Sequence, residues 1–148
     1  MTTVLLPVTD HGRWTRAVAD VLTNVEETDS RAVVFYAFTE DEVASTADHL
    51  GVDDDQPDAN LLASRKEGVG DAVEILTDGG LETEVRGAVV DEEDGEEILS
   101  VADDVDADRI YLYSRKRSPV GKAVLGSAVQ RVLMNSEVPV VVTPASAI

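Results

Sequence analysis

Five short runs of β-branched and aliphatic residues recur along the chain, separated by longer stretches whose apolar residues return every three or four positions. The runs are VLLPV (4–8), AVVFYAF (32–38), LETEVRGAVV (81–90), RIYLY (109–113) and VPVVVT (138–143), each of strand length. Between the first two, Trp14, Ala17, Val18, Val21, Leu22 and Val25 predict a helix with one apolar stripe, Trp14 included in the core. Leu61, Leu62, Val69, Val73 and Leu76 predict one long helix over about 60–78, with Gly79-Gly80 as its stop. Ile98, Leu99, Ala102 and Val105 mark a third helix, and Leu125, Val129, Val132 and Leu133 a fourth. Residues 40–59, EDEVASTADHLGVDDDQPDA, have no clear period and read as an acidic solvated loop that could include a helical turn.

Strands alternating with helices predict βαβ crossovers, hence a largely parallel sheet with helices on both faces. The first, second and fifth runs are nearly continuous apolar stretches, the pattern of strands covered on both sides. The third alternates Leu81, Thr83 and Val85 with Glu82, Glu84 and Arg86, the pattern of a half-exposed edge. The expected fold is a doubly wound, Rossmann-like α/β sandwich of strand order 3-2-1-4-5, a single domain over residues 1–148. Its ligand crevice would open beyond the carboxyl ends of the first and fourth strands, where the winding reverses. Those strands lead into Thr9-Asp10-His11 and into Tyr113 to Arg117.

Composition sharpens this picture. Apolar residues make up 43% of the 148, enough for a globular core despite 30 acids against 12 bases and a net charge of −18. That imbalance predicts a protein at work in concentrated salt, where charge is screened within roughly 3 Å at molar ionic strength. An acidic protein of ordinary ionic strength is the alternative. Either way the field repels phosphate backbones, so no nucleic-acid partner is expected. The absence of cysteine excludes disulfides and thiolate chemistry. MTTVLLPVTD carries no basic segment and its apolar run is too short for a signal peptide, and no apolar window reaches membrane length; a cytoplasmic protein is expected.

Against the acidic background, YSRKRSPVGKAVLGS (113–127) holds Arg115, Lys116, Arg117 and Lys122, and no Asp or Glu lies between Arg109 and Asn135. It leads into the fourth helix, expected to begin near Gly126-Ser127. A helix N-terminus presents unpaired N–H groups and partial positive charge, which suit a phosphate. Gly121 and Gly126 would let backbone approach a ligand, and Ser127 could donate its hydroxyl; equally, Ser127 could be an N-cap and Pro119-Val120-Gly121 a plain turn. A P-loop is excluded, because it needs glycine at 116 and Ser or Thr at 123, where the chain has Lys116 and Ala123. The dinucleotide fingerprint GxGxxG is missing after the first strand. His11 and His49 make no metal constellation, and VDDDQPD (52–58) lacks the EF-hand spacing, so no metal ligand is assigned. Asp91 to Asp94 favour the N-terminus of the third helix. No nucleophile-base arrangement stands out, so no catalytic residue is assigned.

These residues resemble the universal stress protein family over the whole chain, in length and element order. ADRIYLYSRKRS is similar to the family's ADLIVMGSRGRS, EVPVVVTP to its closing strand, and VLLPVTD to its opening strand and the acid after it. ATP-binding members share Gly, two residues, Gly, nine residues, then Gly-Ser or Gly-Thr. Gly126-Ser127 matches the end of that pattern, while Tyr113 and Lys116 stand where its first two glycines fall. The resemblance implies a stress-response sensor that binds ATP, accompanied by Mg²⁺, or AMP; the acidic balance would make it a haloarchaeal-type member. By family position, Val8, Thr9, Asp10 and Ala37 would surround base and ribose, while Asp10 could equally cap the first helix. Tyr113, Ser114, Arg115, Lys116, Arg117, Gly121, Gly126 and Ser127 would line the phosphate side. Slow ATP hydrolysis, a trait of some members, is not predicted by any residue here. A homodimer through residues 138–143 is implied as well. The rival expectation is a dimeric interaction module without nucleotide, in which Tyr113 fills the crevice and the basic loop meets an acidic partner.

Overall fold

The computed structural model describes residues 2–9, 12–50, 58–92, 94–114, 116–117, 123–124 and 126–144. Five parallel strands form one sheet: β1 (Thr3–Pro7), β2 (Arg31–Phe38), β3 (Glu82–Val89), β4 (Arg109–Ser114) and β7 (Val140–Pro144). Their order is β3-β2-β1-β4-β7, the expected 3-2-1-4-5, with β3 on an edge. An antiparallel ribbon of β5 (Lys116–Arg117) and β6 (Ala123–Val124) joins the basic segment, and nothing in the hydrophobic pattern announced it.

Because side chains alternate across a strand, the sheet feeds two cores. Val4, Leu6, Val34, Tyr36 and Tyr111 face α1 (Gly12–Val25), α3 (Ala59–Ser64) and α4 (Glu67–Asp78), meeting Val18, Leu22, Leu62, Val69 and Leu76. Leu5, Val33, Phe35, Ile110 and Leu112 face α5 (Glu96–Asp104) and α6 (Ser127–Asn135), meeting Val101, Ala102 and Val132.

Two expectations need correction. Residues 40–50 form a helix, α2 (Glu40–Leu50), rather than a loop; 51–57 lie outside the described residues. Glu40, Asp41 and Glu42 suit its first turn, and Val43 and Ala47 face the core one turn apart, a short repeat easily lost among the acids and small residues around it. The long helix over 60–78 is broken in two, because Arg65 turns its N–H back to Leu62 O and Lys66 is extended. The break lets α3 lie beside the edge strand while α4 packs on α1. Asp58 caps α3, and Asn60 accepts the N–H of Gly87 at 2.8 Å, which satisfies part of the β3 edge. Of the residues that mark the fourth helix, Val132 is the buried anchor of α6 and Leu133 is 38% exposed; Leu125 lies outside the described residues.

Candidate functional site

Beyond the carboxyl ends of β1, β2 and β4 lies a cavity of about 450 Å³. Pro7, Val8 and Thr9 line it from β1 and its exit, Phe35, Tyr36 and Ala37 from β2, and Leu112, Tyr113 and Ser114 from β4. Gly126 to Val129 close one side, and Glu42 of α2 with Glu97 and Ile98 of α5 complete the wall. The crevice is where the strand order predicted it, at the reversal of winding between β1 and β4.

The first turn of α6 borders this space without a side-chain cap. Gly126 is the N-cap, extended at φ −69 and ψ 161, and Ser127 is the first helical residue, so the Ser127 cap expected as an alternative is not formed. The first-turn N–H groups therefore carry the partial charge that favours an anion. Gly95 brings α5 to the same place. Its φ of +100 favours glycine, and a Cβ there would lie 2.7 Å from the carbonyl oxygen of Ala128. Glu97 then reaches back to accept the Gly95 N–H at 3.1 Å, and burial raises the pKa of its carboxyl.

Tyr113 lies across the gap. Its hydroxyl shares a 2.8 Å hydrogen bond with Thr9 Oγ1, linking the ends of β4 and β1. Its ring stands 5.6 Å from that of Trp14. Trp14 is thus only half-buried at the start of α1, packed on Tyr113 rather than within either core. The tyrosine both packs against the α1-side core and lines the cavity.

Of the residues singled out in the sequence, Val8, Thr9, Ala37, Tyr113, Ser114, Gly126 and Ser127 are brought together here. The backbone of Lys116 and Arg117 belongs to the ribbon that follows β4. Asp10, His11, Arg115, Gly121 and Lys122 lie outside the described residues. Two acids were missed, Glu42 and Glu97. Glu42 accepts from the hydroxyl of Tyr36 and pairs with Lys66 at 3.1 Å. Lys66 itself sits over the rings of Tyr36 and Phe38 at 5.2 and 5.7 Å. No sequence signal could mark Glu42 among 30 acids, since only the fold brings α2 to the mouth of β2. Among the described residues no cluster of His, Asp and Glu is arranged to hold a metal, and no helix is long and apolar enough to cross a membrane.

Comparison with known proteins agrees with this architecture. A universal stress protein from Mycolicibacterium smegmatis is 42% identical over 66 residues, which cover 44% of this chain and 49% of that protein. The chain thus spans about half the length of that relative. The fold is similar to that of the universal stress protein from Archaeoglobus fulgidus in complex with dAMP, with a TM-score of 0.65 and 18% identity over 96% of this chain and 97% of that one. A universal stress protein family protein from Arabidopsis thaliana with AMP bound matches at 0.62 and 12% identity, covering 97% and 92%. The sequence profile of the universal stress protein family matches residues 1–144, and with the strand order, crevice and α6 start described above, the chain belongs to that family.

Proposed function

We propose that this protein is a stress-response sensor that binds an adenine nucleotide, ATP or AMP, in the crevice beyond β1, β2 and β4. The observation that carries the reading is the uncapped first turn of α6 bordering a cavity of about 450 Å³ at the winding reversal. Structures of the same fold in complex with dAMP and with AMP support it. In this reading Gly126 and Ser127, with Gly121, Lys116 and Arg117 of the basic segment, hold phosphate, and Mg²⁺ rides on the phosphates of ATP. Val8, Thr9, Asp10 and Ala37 surround ribose and base. In the same reading the protein works in the concentrated salt of a haloarchaeal-type cytoplasm, which its acidic composition suits.

The same reading includes a homodimer. β7 is an apolar edge strand, and Met134, 83% exposed on α6, stands close to it in sequence with the partly exposed Leu133. A molar mass of twice 15.8 kDa by light scattering is expected, and a monomer at all concentrations would exclude the dimer.

The test of nucleotide binding is thermal unfolding in molar KCl with Mg-ATP or AMP. Ligand at 100 times its Kd adds about 2.7 kcal/mol of stability. For a chain of this size that is a rise of roughly 5–10 °C in Tm. Gly126→Val should abolish the rise, because its side chain occupies the mouth of α6 while the extended backbone there tolerates valine. A flat response to millimolar concentrations of both nucleotides favours the second reading, an interaction module without nucleotide. The Tyr113–Thr9 bond across the crevice is the observation on that side.

A further inference from the structure

The crevice has two chemically different ends. At one, the first turn of α6 offers N–H donors. At the other, where β2 meets α2, the wall offers an acceptor, the carboxylate of Glu42. β1 lies between β2 and β4, so the mouths of those two strands stand two strand spacings apart, roughly 10 Å.

Glu42 is held rather than merely present. Tyr36 donates its hydroxyl to Oε1, and the Lys66 ammonium contacts the same oxygen at 3.1 Å. Lys66 is fixed in turn over Tyr36 and Phe38. Among the described residues no hydrogen bond falls on Oε2. The side chain is 29% exposed and contributes to the cavity wall. An ionised carboxylate only accepts hydrogen bonds, so it recognises a donor and repels an acceptor. The other acid of the wall, Glu97, is engaged with the Gly95 N–H at the start of its own helix, beside α6.

Resting on the nucleotide reading above, we infer that Glu42 selects the base. Its carboxylate, fixed by Tyr36 and Lys66, accepts a hydrogen bond from the exocyclic amine of a 6-aminopurine and rejects a 6-oxopurine. With phosphate on α6, the purine would lie across the exit of β1 towards Ala37, and its 6-position would meet Glu42. An oxo group in that place sets two acceptors against each other.

AMP and IMP, which differ at the 6-position and in the proton on N1, provide the test by calorimetry in molar KCl. AMP should bind the wild-type protein roughly 10- to 100-fold more tightly, the worth of one hydrogen bond to a charged group. Glu42→Gln, whose amide can donate as well as accept, should bring the two within about threefold. Tyr36→Phe should shrink the ratio only in part, because it loosens Glu42 without neutralising it. Equal binding of AMP and IMP by the wild type, or an unchanged ratio in Glu42→Gln, overturns the selection by Glu42 while leaving nucleotide binding intact. Binding of neither overturns both. Equal wild-type binding overturns the inference even if Glu42→Gln folds poorly, and Tyr36→Phe then carries the assignment to Glu42.

Discussion

Two glutamates accept a hydrogen bond from a tyrosine at opposite ends of the same sheet, and their surroundings differ in kind. At the amino end, Glu26 follows α1 and meets the start of β4. Arg109 Nε donates to Oε2 at 2.7 Å and Nη2 to Oε1, and the Tyr111 hydroxyl joins Oε2. The Glu26 side chain is 2% exposed and both oxygens are engaged. At the carboxyl end, Glu42 borders a cavity and both its partners crowd one oxygen. A saturated buried carboxylate can only hold the fold together. One left with acceptor capacity beside a cavity can answer to a ligand. The contrast separates a structural end of the sheet from a binding end.

Removing Glu26 is expected to have the largest effect. Glu26→Ala leaves Tyr111 buried without an acceptor, while Arg109, 35% exposed, can still reach water. The loss should be about 2–4 kcal/mol. That corresponds to a Tm lower by roughly 5–15 °C, with nucleotide affinity unchanged in what still folds. Hydrogen bonds from Arg109 hold the Glu26 carboxyl below its ordinary pKa of 4.5, against the opposing pull of burial. A lowered folded value means the unfolded chain binds the proton more readily. This stabilisation is therefore complete above pH 4.5 and lost as pH falls through the folded value. Denaturant unfolding across that acid limb should show it, and Glu26→Gln should flatten it.

Gly95→Ala should cost less, about 1–3 kcal/mol, since alanine at φ +100 is strained and its Cβ meets Ala128 O. Its signature is a weakened nucleotide response, because the starts of α5 and α6 are pushed apart at the crevice. A stability loss with full affinity would mean that this contact does not shape the site. The smallest stability change belongs to Glu42→Gln, below about 1 kcal/mol for a part-exposed pair. Its effect should fall on the choice of base instead. A stability loss matching that of Glu26→Ala would erase the distinction between the two ends.

The carboxyl end was the more legible of the two. Gly126-Ser127, Tyr113 and Thr9 could be placed because strand order dictates where loops converge, and strand order follows from which runs are apolar on both faces. Glu42 could not, because α2 is marked only by a short apolar repeat through Val43 and Ala47 and its acids are indistinguishable from solvated ones. Trp14 misled for a related reason. It continues the apolar stripe of α1, but at the start of that helix it is only half-buried and packs on Tyr113 at the cavity. Glu26 carried no signal at all. Its partners are 83 and 85 residues away, and hydrophobic periodicity is silent about polar contacts of that range.

The amino-acid sequence alone determined the parallel sheet, its order and the position of the crevice, since these depend on periods of two and of 3.6 residues and on the handedness of crossovers. It also determined that a glycine-led helix would open there, because Gly126 is local to its own helix start. Tertiary structure alone decided which polar groups meet. The pairings of Glu26 with Arg109 and Tyr111, of Glu42 with Tyr36 and Lys66, and of Thr9 with Tyr113 each need a separate strand or helix to arrive at the right depth. Apolar burial is non-directional and tolerates small offsets, so a pattern suffices to specify it. A hydrogen bond holds only within a few tenths of an ångström and within narrow angles, and that precision exists only once the packing is complete.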